Sequence, residues 1–173
     1  VGNPGSGKST SALASLDSSL LFAGDDYVAV ALDPEPFVYS LYSSGKIEPH
    51  HVKKLPNVAS SLANADRLDA EKAVMYVHEH YPAKTTHGFP LRAVLLPKIC
   101  GRLDSQIVPV SRVEALRALA PSTVIQLHTA GPDALARMKA LVARLPAFAL
   151  ELGSDIATIP RTIEQFLERD LAA

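Results

Sequence analysis

The sequence predicts an α/β fold, a mixed sheet with flanking helices, and three observations carry that prediction. Stretches of helical periodicity alternate with short β-rich runs along the chain. The run 91–99 is almost wholly apolar, as a central strand covered on both faces would be. Two β-rich runs, 27–32 and 37–42, flank Asp33-Pro34-Glu35-Pro36, a turn signal that adds an antiparallel hairpin. A length of 173 residues, 47% hydrophobic and 20% charged, supports one domain over 1–173 with its own core and excludes disordered and collagen-like classes.

Taken in order, residues 9–18 read as a helix with Ala12, Leu13 and Leu16 toward the sheet. Residues 19–24, with Leu20, Leu21, Phe22 and Ala23, read as a short buried strand. After the hairpin, 43–46 reads as a loop, 49–55 as a short helix and 57–71 as surface loop. Strands are expected at 72–78, 91–99 and 106–110. Ser111 then caps a helix over 112–120, and Glu114 completes a capping box. A second helix is expected over 121–129. A third, over 134–145, carries Leu135, Met138, Leu141, Val142 and Leu145 on one face. Residues 146–152 form a last strand, and Ile159-Pro160 leads into a closing helix ending near Leu171.

Residues 2–9 read Gly2-Asn3-Pro4-Gly5-Ser6-Gly7-Lys8-Ser9, a full match to the phosphate-binding loop pattern G-x-x-x-x-G-K-[ST]. Gly2, Gly5 and Gly7 allow backbone angles that turn successive N–H groups inward as an anion nest. The helix that follows adds its N-terminal partial charge. In such a loop Lys8 reaches the terminal phosphates, Ser9 ligates Mg²⁺, and Thr10 serves the α-phosphate or local capping. A loop of this kind follows a buried strand. Val1 is therefore expected to be the last residue of a central strand whose earlier part, with any N-terminal segment, precedes the sequence given.

Asp25 and Asp26 follow the expected strand, Asp25 standing seventeen residues beyond Lys8. One helix and one strand fill that interval and return the chain to the edge where phosphates would sit. Adjacent carboxylates there can divide two jobs: accepting the proton of an attacking hydroxyl, and holding Mg²⁺.

Gly-Asn-Pro-Gly-Ser-Gly-Lys-Ser, a helix, and then Leu-Leu-Phe-Ala-Gly-Asp-Asp resemble the HPr kinase/phosphorylase catalytic domain and its relatives, which share a phosphoenolpyruvate-carboxykinase-like P-loop core. The closing Leu150-Glu-Leu-Gly-Ser-Asp155, Ile-Ala-Thr-Ile-Pro160 and final helix look like the end of the smaller HPr-kinase-like serine kinases, some of them from bacterial biosynthetic clusters. The glycine-rich second signature of true HPr kinases is not recognisable, and Tyr42-Ser-Ser-Gly-Lys46 resembles a loop of the smaller kinases instead. The resemblance implies an ATP-dependent kinase acting on a serine of a protein or peptide. It makes Lys8 a phosphate ligand and catalytic group, Ser9 a Mg²⁺ ligand, Asp25 the base and Asp26 its metal-side partner. HPr-kinase relatives are often oligomers, while the sequence itself does not give the oligomeric state. One cysteine, which cannot form an internal disulfide, fits a reducing, cytoplasmic compartment.

Other features read more plainly. Lys46, Lys72 and Arg112 are expected as surface charges, with phosphate neutralisation as the alternative for each. His50-His51 and His78-x-His80 lack a clear third ligand for zinc, and Cys100 reads as a small buried apolar residue. Phe37, Tyr39 and Tyr42 read as sheet packing. Seventeen basic against 18 acidic residues argue against nucleic acid as a partner, and no apolar run reaches membrane-span length. The competing functions are a nucleotide-binding regulatory module without transfer and a small-molecule kinase. A GTPase lacks its Asn-Lys-x-Asp motif here, and an ABC-type ATPase its Leu-Ser-Gly-Gly.

Overall fold

The computed structural model describes residues 1–121, 123 and 131–170. They form a mixed α/β protein with three small sheets and flanking helices, in place of the one mixed sheet expected. The expected helix over 121–129 and the chain end at Leu171 lie largely or wholly outside the described residues.

Helix α1 (Lys8–Ala14) continues into a 3₁₀ turn at Ser15–Asp17 and buries Leu13 and Leu16. The hairpin is present as β1 (Val28–Ala31) and β2 (Phe37–Ser40), antiparallel in the register Val28↔Ser40 to Ala31↔Phe37. A second pair joins β3 (Ser44–Ile47) to the later β4 (Ala73–Tyr76), antiparallel, with helices α2 (Pro49–Val52) and α3 (Pro56–Ala59) between them. After β4 come a single helical turn, α4 (Val77–His80), and the short β5 (Gly88–Pro90), which pairs with β2.

The third sheet has the order β6-β8-β7, from β6 (Val94–Ile99), β7 (Gln106–Pro109) and β8 (Ala147–Leu152). β6 and β8 are parallel, β7 and β8 antiparallel, so β8 is the central strand and the apolar run 91–99 supplies a neighbour. Helix α5 (Arg112–Ala120) begins at the expected capping box, and α6 (Gly131–Arg144) follows. Met138, Leu141, Val142 and Leu145 of that stretch are buried against β6 and β8, whereas Leu135 is 41% exposed and belongs to the solvent face. Helix α7 (Thr158–Asp170) covers the other side of β8 through Ile159.

Four expectations are corrected by these contacts. Residues 19–24 form no strand but one isolated bridge, Phe22↔Thr85, because Phe22 and Ala23 turn inward while Leu21 stays exposed. Residues 43–46 are not a loop: most of them belong to β3, whose Gly45 lies so close to α1 that an added Cβ would meet Leu13 Cδ2 at 2.6 Å. The strand at 72–78 stops at Tyr76, which moves His78 and His80 onto α4. Cys100 is half-buried, with its thiol donating to Leu152 O at 3.1 Å.

Three apolar clusters result. One joins α1 to β3, β4, α2 and α3; a second joins β6 and β8 to α5 and α6; the third links β8 to α7. The candidate site lies where the first cluster meets the C-terminal ends of β6 and β8. Open α/β sheets place ligand clefts at such strand ends. No described helix is long and apolar enough to cross a membrane.

Candidate functional site

Residues 2–7 form a tight loop before α1. Gly2, Gly5 and Gly7 all take positive φ, 152°, 77° and 102°, and Ser6 N–H closes a turn on Asn3 O at 3.2 Å. Gly7 is the N-cap of α1, and a Cβ there would meet Leu152 Cδ1 at 2.2 Å. Its lack of a side chain thus serves both the left-handed backbone and the close approach of β8. Asn3, Pro4 and Gly5 form the exposed tip. On the other flank the Val1 amino group donates to Leu95 O of β6 at 2.8 Å, which fixes the loop beside that strand.

Among the described residues no side chain caps α1, so the N–H groups of Lys8, Ser9 and Thr10 have no acceptor within the helix. The Lys8 ammonium folds back over the loop and donates to Gly2 O and Asn3 O, both at 2.9 Å. Ser6 Oγ, beneath the loop, is buried with no hydrogen-bond partner among the described residues.

The segment after α1 brings Asp25 to the same place. Its Oδ2 accepts from Lys46 N–H of β3 at 2.9 Å, while Oδ1 is buried without a partner among the described residues. Burial pushes the Asp25 carboxyl above its ordinary value and outweighs the Lys46 N–H and the nearby Ser9 hydroxyl, which favour the charged form. Asp26 adds like charge to it and Lys8 opposite charge, so these four side chains share one electrostatic neighbourhood. Asp26 itself is exposed and faces Tyr42, whose hydroxyl is raised by burial and then by that carboxylate.

A cleft of about 280 Å³ opens beside the loop. Gly5, Gly7, Lys8, Ser9 and Thr10 form one side of it. Lys46, Glu48, His51, Lys54 and Lys72 line it from the β3–β4 unit. Ile99, Cys100 and Leu152–Ser154 contribute the strand ends, with Ile156 and Ile159 alongside. Lys46 and Lys72 are therefore at the site. Arg112, at the start of α5, lines neither this cleft nor a second one of about 340 Å³ on the far side of the loop.

Sequence reasoning missed Glu48, Lys54, Gly153 and Ser154. Glu48 pairs with Lys72 at 2.9 Å, which holds the Glu48 carboxyl below and the Lys72 ammonium above their ordinary values. Only the density of Lys, His and Glu over 46–54 could have signalled this wall, and such runs are usually solvated surface. His51 is lowered by burial and by the adjacent His50 and Lys54. His78 Nδ1 meets Ser43 Oγ at 2.9 Å instead of a metal-ligand set, and among the described residues no group of three His, Cys, Asp or Glu could hold a metal by itself. Phe37 and Tyr39 pack on each other at 4.7 Å, as sheet packing requires, although Tyr39 is half-exposed.

No family model matches the chain, and neither a curated protein nor a solved structure matches it.

Proposed function

We propose that this protein is an ATP- and Mg²⁺-dependent kinase with a P-loop core of the HPr kinase/phosphoenolpyruvate-carboxykinase type, transferring phosphate to a serine hydroxyl of a protein or peptide. The observation that carries the reading is a loop with three positive-φ glycines that presents Lys8 and Ser9 to the cleft, with the half-buried Asp25, whose Oδ1 has no partner among the described residues, held behind the cleft wall by the Lys46 N–H. The resemblance to the small HPr-kinase-like serine kinases points the same way.

The residues fit the groups the reaction needs. Loop N–H groups and Lys8 suit a triphosphate. Mg²⁺ bound with a nucleotide takes most ligands from phosphate and water, so Ser9 and one carboxylate suffice and a protein-only cluster is not required. Ser9 and Asp26 would hold it, with Asp25 close beside Ser9, and the ion would neutralise charge on the transferring group.

In the transfer the acceptor oxygen forms a bond to the γ-phosphorus as the bond to the β–γ bridging oxygen breaks, and ADP leaves. The hydroxyl proton passes to Asp25, whose carboxyl is raised by burial toward a value suited to a base. Lys8 leaves the Gly2 and Asn3 carbonyls to meet the phosphates. The loop and Lys8 stabilise charge that builds in the transition state.

The test is incubation with labelled ATP and candidate acceptors, with intact masses read for a gain of one phosphate. Asp25→Asn is expected to lower transfer by at least about a hundredfold, the range of general-base loss, while ATP binding stays within about threefold. Asp26→Asn is expected to shift the Mg²⁺ concentration needed for half-maximal rate upward and to retain transfer at saturating Mg²⁺. Turnover of wild-type size by Asp25→Asn would sink the assignment of the base.

A further inference from the structure

Among the described residues five charged side chains line the cleft, and they are not evenly matched: Lys8, Lys46, Lys54 and Lys72 stand against the single carboxylate of Glu48. Lys8 belongs to the glycine loop. Lys46 is tied to Asp25 through its backbone N–H. Lys54 and Lys72 ride on the β3–β4 unit, one just after α2 and the other just before β4. The Lys54 ammonium has no hydrogen bond or ion pair among the described residues, and Lys72 has only Glu48. Lys72 also feels the charges of Asp25 and Asp26. His51 beside Lys54 is lowered first by burial and then by the charges of His50 and Lys54.

We propose that Lys54 and Lys72 form a second anion subsite that receives a carboxylate of the acceptor, so that the substrate is an acidic peptide with its serine next to Asp or Glu. This rests on the kinase reading above. The phosphates of a nucleotide have the loop and Lys8, which lie on separate elements from this pair. Lysines act as point charges that accept a carboxylate without fixed geometry, which suits a mobile peptide. Glu48 occupies Lys72 in the free protein and acts as a stand-in for the incoming carboxylate.

The experiment measures fluorescence anisotropy of two labelled peptides, Glu-Asp-Ser-Asp-Glu and its neutral counterpart Gln-Asn-Ser-Asn-Gln. Each is titrated with and without saturating Mg²⁺ and the non-hydrolysable analogue AMPPNP, at about 50 mM salt, where charges remain weakly screened. AMPPNP binding is followed separately by calorimetry. The acidic peptide is expected to bind at least about tenfold more tightly than the neutral one, with AMPPNP present or absent. Lys54→Ala and Lys72→Ala should each weaken it about three- to fivefold, the size of an exposed ion pair, and leave AMPPNP affinity unchanged. Glu48→Gln should tighten it. Equal binding of the two peptides, expulsion of the acidic one by AMPPNP, or equal loss of AMPPNP binding in the lysine variants would overturn the subsite. Failure of the wild-type protein to bind AMPPNP would instead remove the kinase reading, and the nucleotide-free titrations would still report on the subsite alone.

Discussion

Asp25 joins burial to chemistry. A carboxylate in the charged form, half-enclosed and with one oxygen unpartnered among the described residues, opposes folding, because the unfolded chain offers it full hydration. Its folded-state pKa stands above the unfolded value, so the native state binds the proton more tightly. The stability this costs is absent at pH below the unfolded value, near 3.8, and grows as pH rises to the folded value, beyond which it is constant. Asp25→Asn is therefore expected to raise the melting temperature at pH 8, by about 2 °C for a domain of this size, and to lose that advantage at pH 3.5. Thermal unfolding of both proteins across pH checks it. A destabilised Asp25→Asn at pH 8 would mean that the Lys46 N–H and Ser9 contacts outweigh burial. The loop glycines, Lys8 and Ser9 were legible in the sequence because the spacing itself encodes the backbone. Glu48, Lys54 and Lys72 were not legible as a group: nothing about isolated Lys and Glu residues states which of them a fold will gather on one wall.

Among the elements, β3 shows how the site is held. Ser44-Gly45-Lys46-Ile47 has little intrinsic strand preference and reads locally as a loop. Its state is set by pairing with β4 and by the close approach of Gly45 to Leu13, which is 2% exposed and packed in the core. That contact fixes the Lys46 N–H on Asp25. Gly45→Ala is expected to cost about 1–3 kcal/mol of stability through overpacking, measurable as a lowered urea midpoint with an unchanged slope. An effect below about 0.5 kcal/mol would show that α1 and β3 can separate without cost. The β1–β2 hairpin, by contrast, was readable because Asp-Pro-Glu-Pro leaves the chain few alternatives. Residues 19–24 and the His78–His80 segment were misread for the same reason as β3. Short apolar or polar runs take their conformation from what packs on them, and that is long-range information.

At the scale of the whole molecule, the cleft is assembled from parts far apart in the chain. The loop at the start, the β3–β4 unit in the middle and the ends of β6 and β8 each contribute a side. The α/β class was predictable from alternation, whereas the division into three sheets was not, since strand partners are chosen by register and core shape. Cys100 offers a direct probe of this assembly, being half-buried and on the cleft wall next to Gly153. Saturating AMPPNP with Mg²⁺ is expected to slow its alkylation by N-ethylmaleimide, read as mass gain over time, while leaving the reaction of the unfolded chain in urea unchanged. An unaltered rate would place the bound nucleotide away from the β6 and β8 ends.

The two hydrogen bonds from Lys8 to the Gly2 and Asn3 carbonyls have a further consequence. The ammonium has exchanged part of its water for protein oxygens before any ligand arrives. On the kinase reading, an entering anion would meet a cation that is already partly dehydrated and tethered within one side chain's reach of it. Capture becomes a swap of acceptors at nearly constant hydrogen-bond number, with the loop carbonyls acting as a latch that opens only for a stronger acceptor. A phosphate would be such an acceptor, because hydrogen bonds between two ionised groups are the stronger ones.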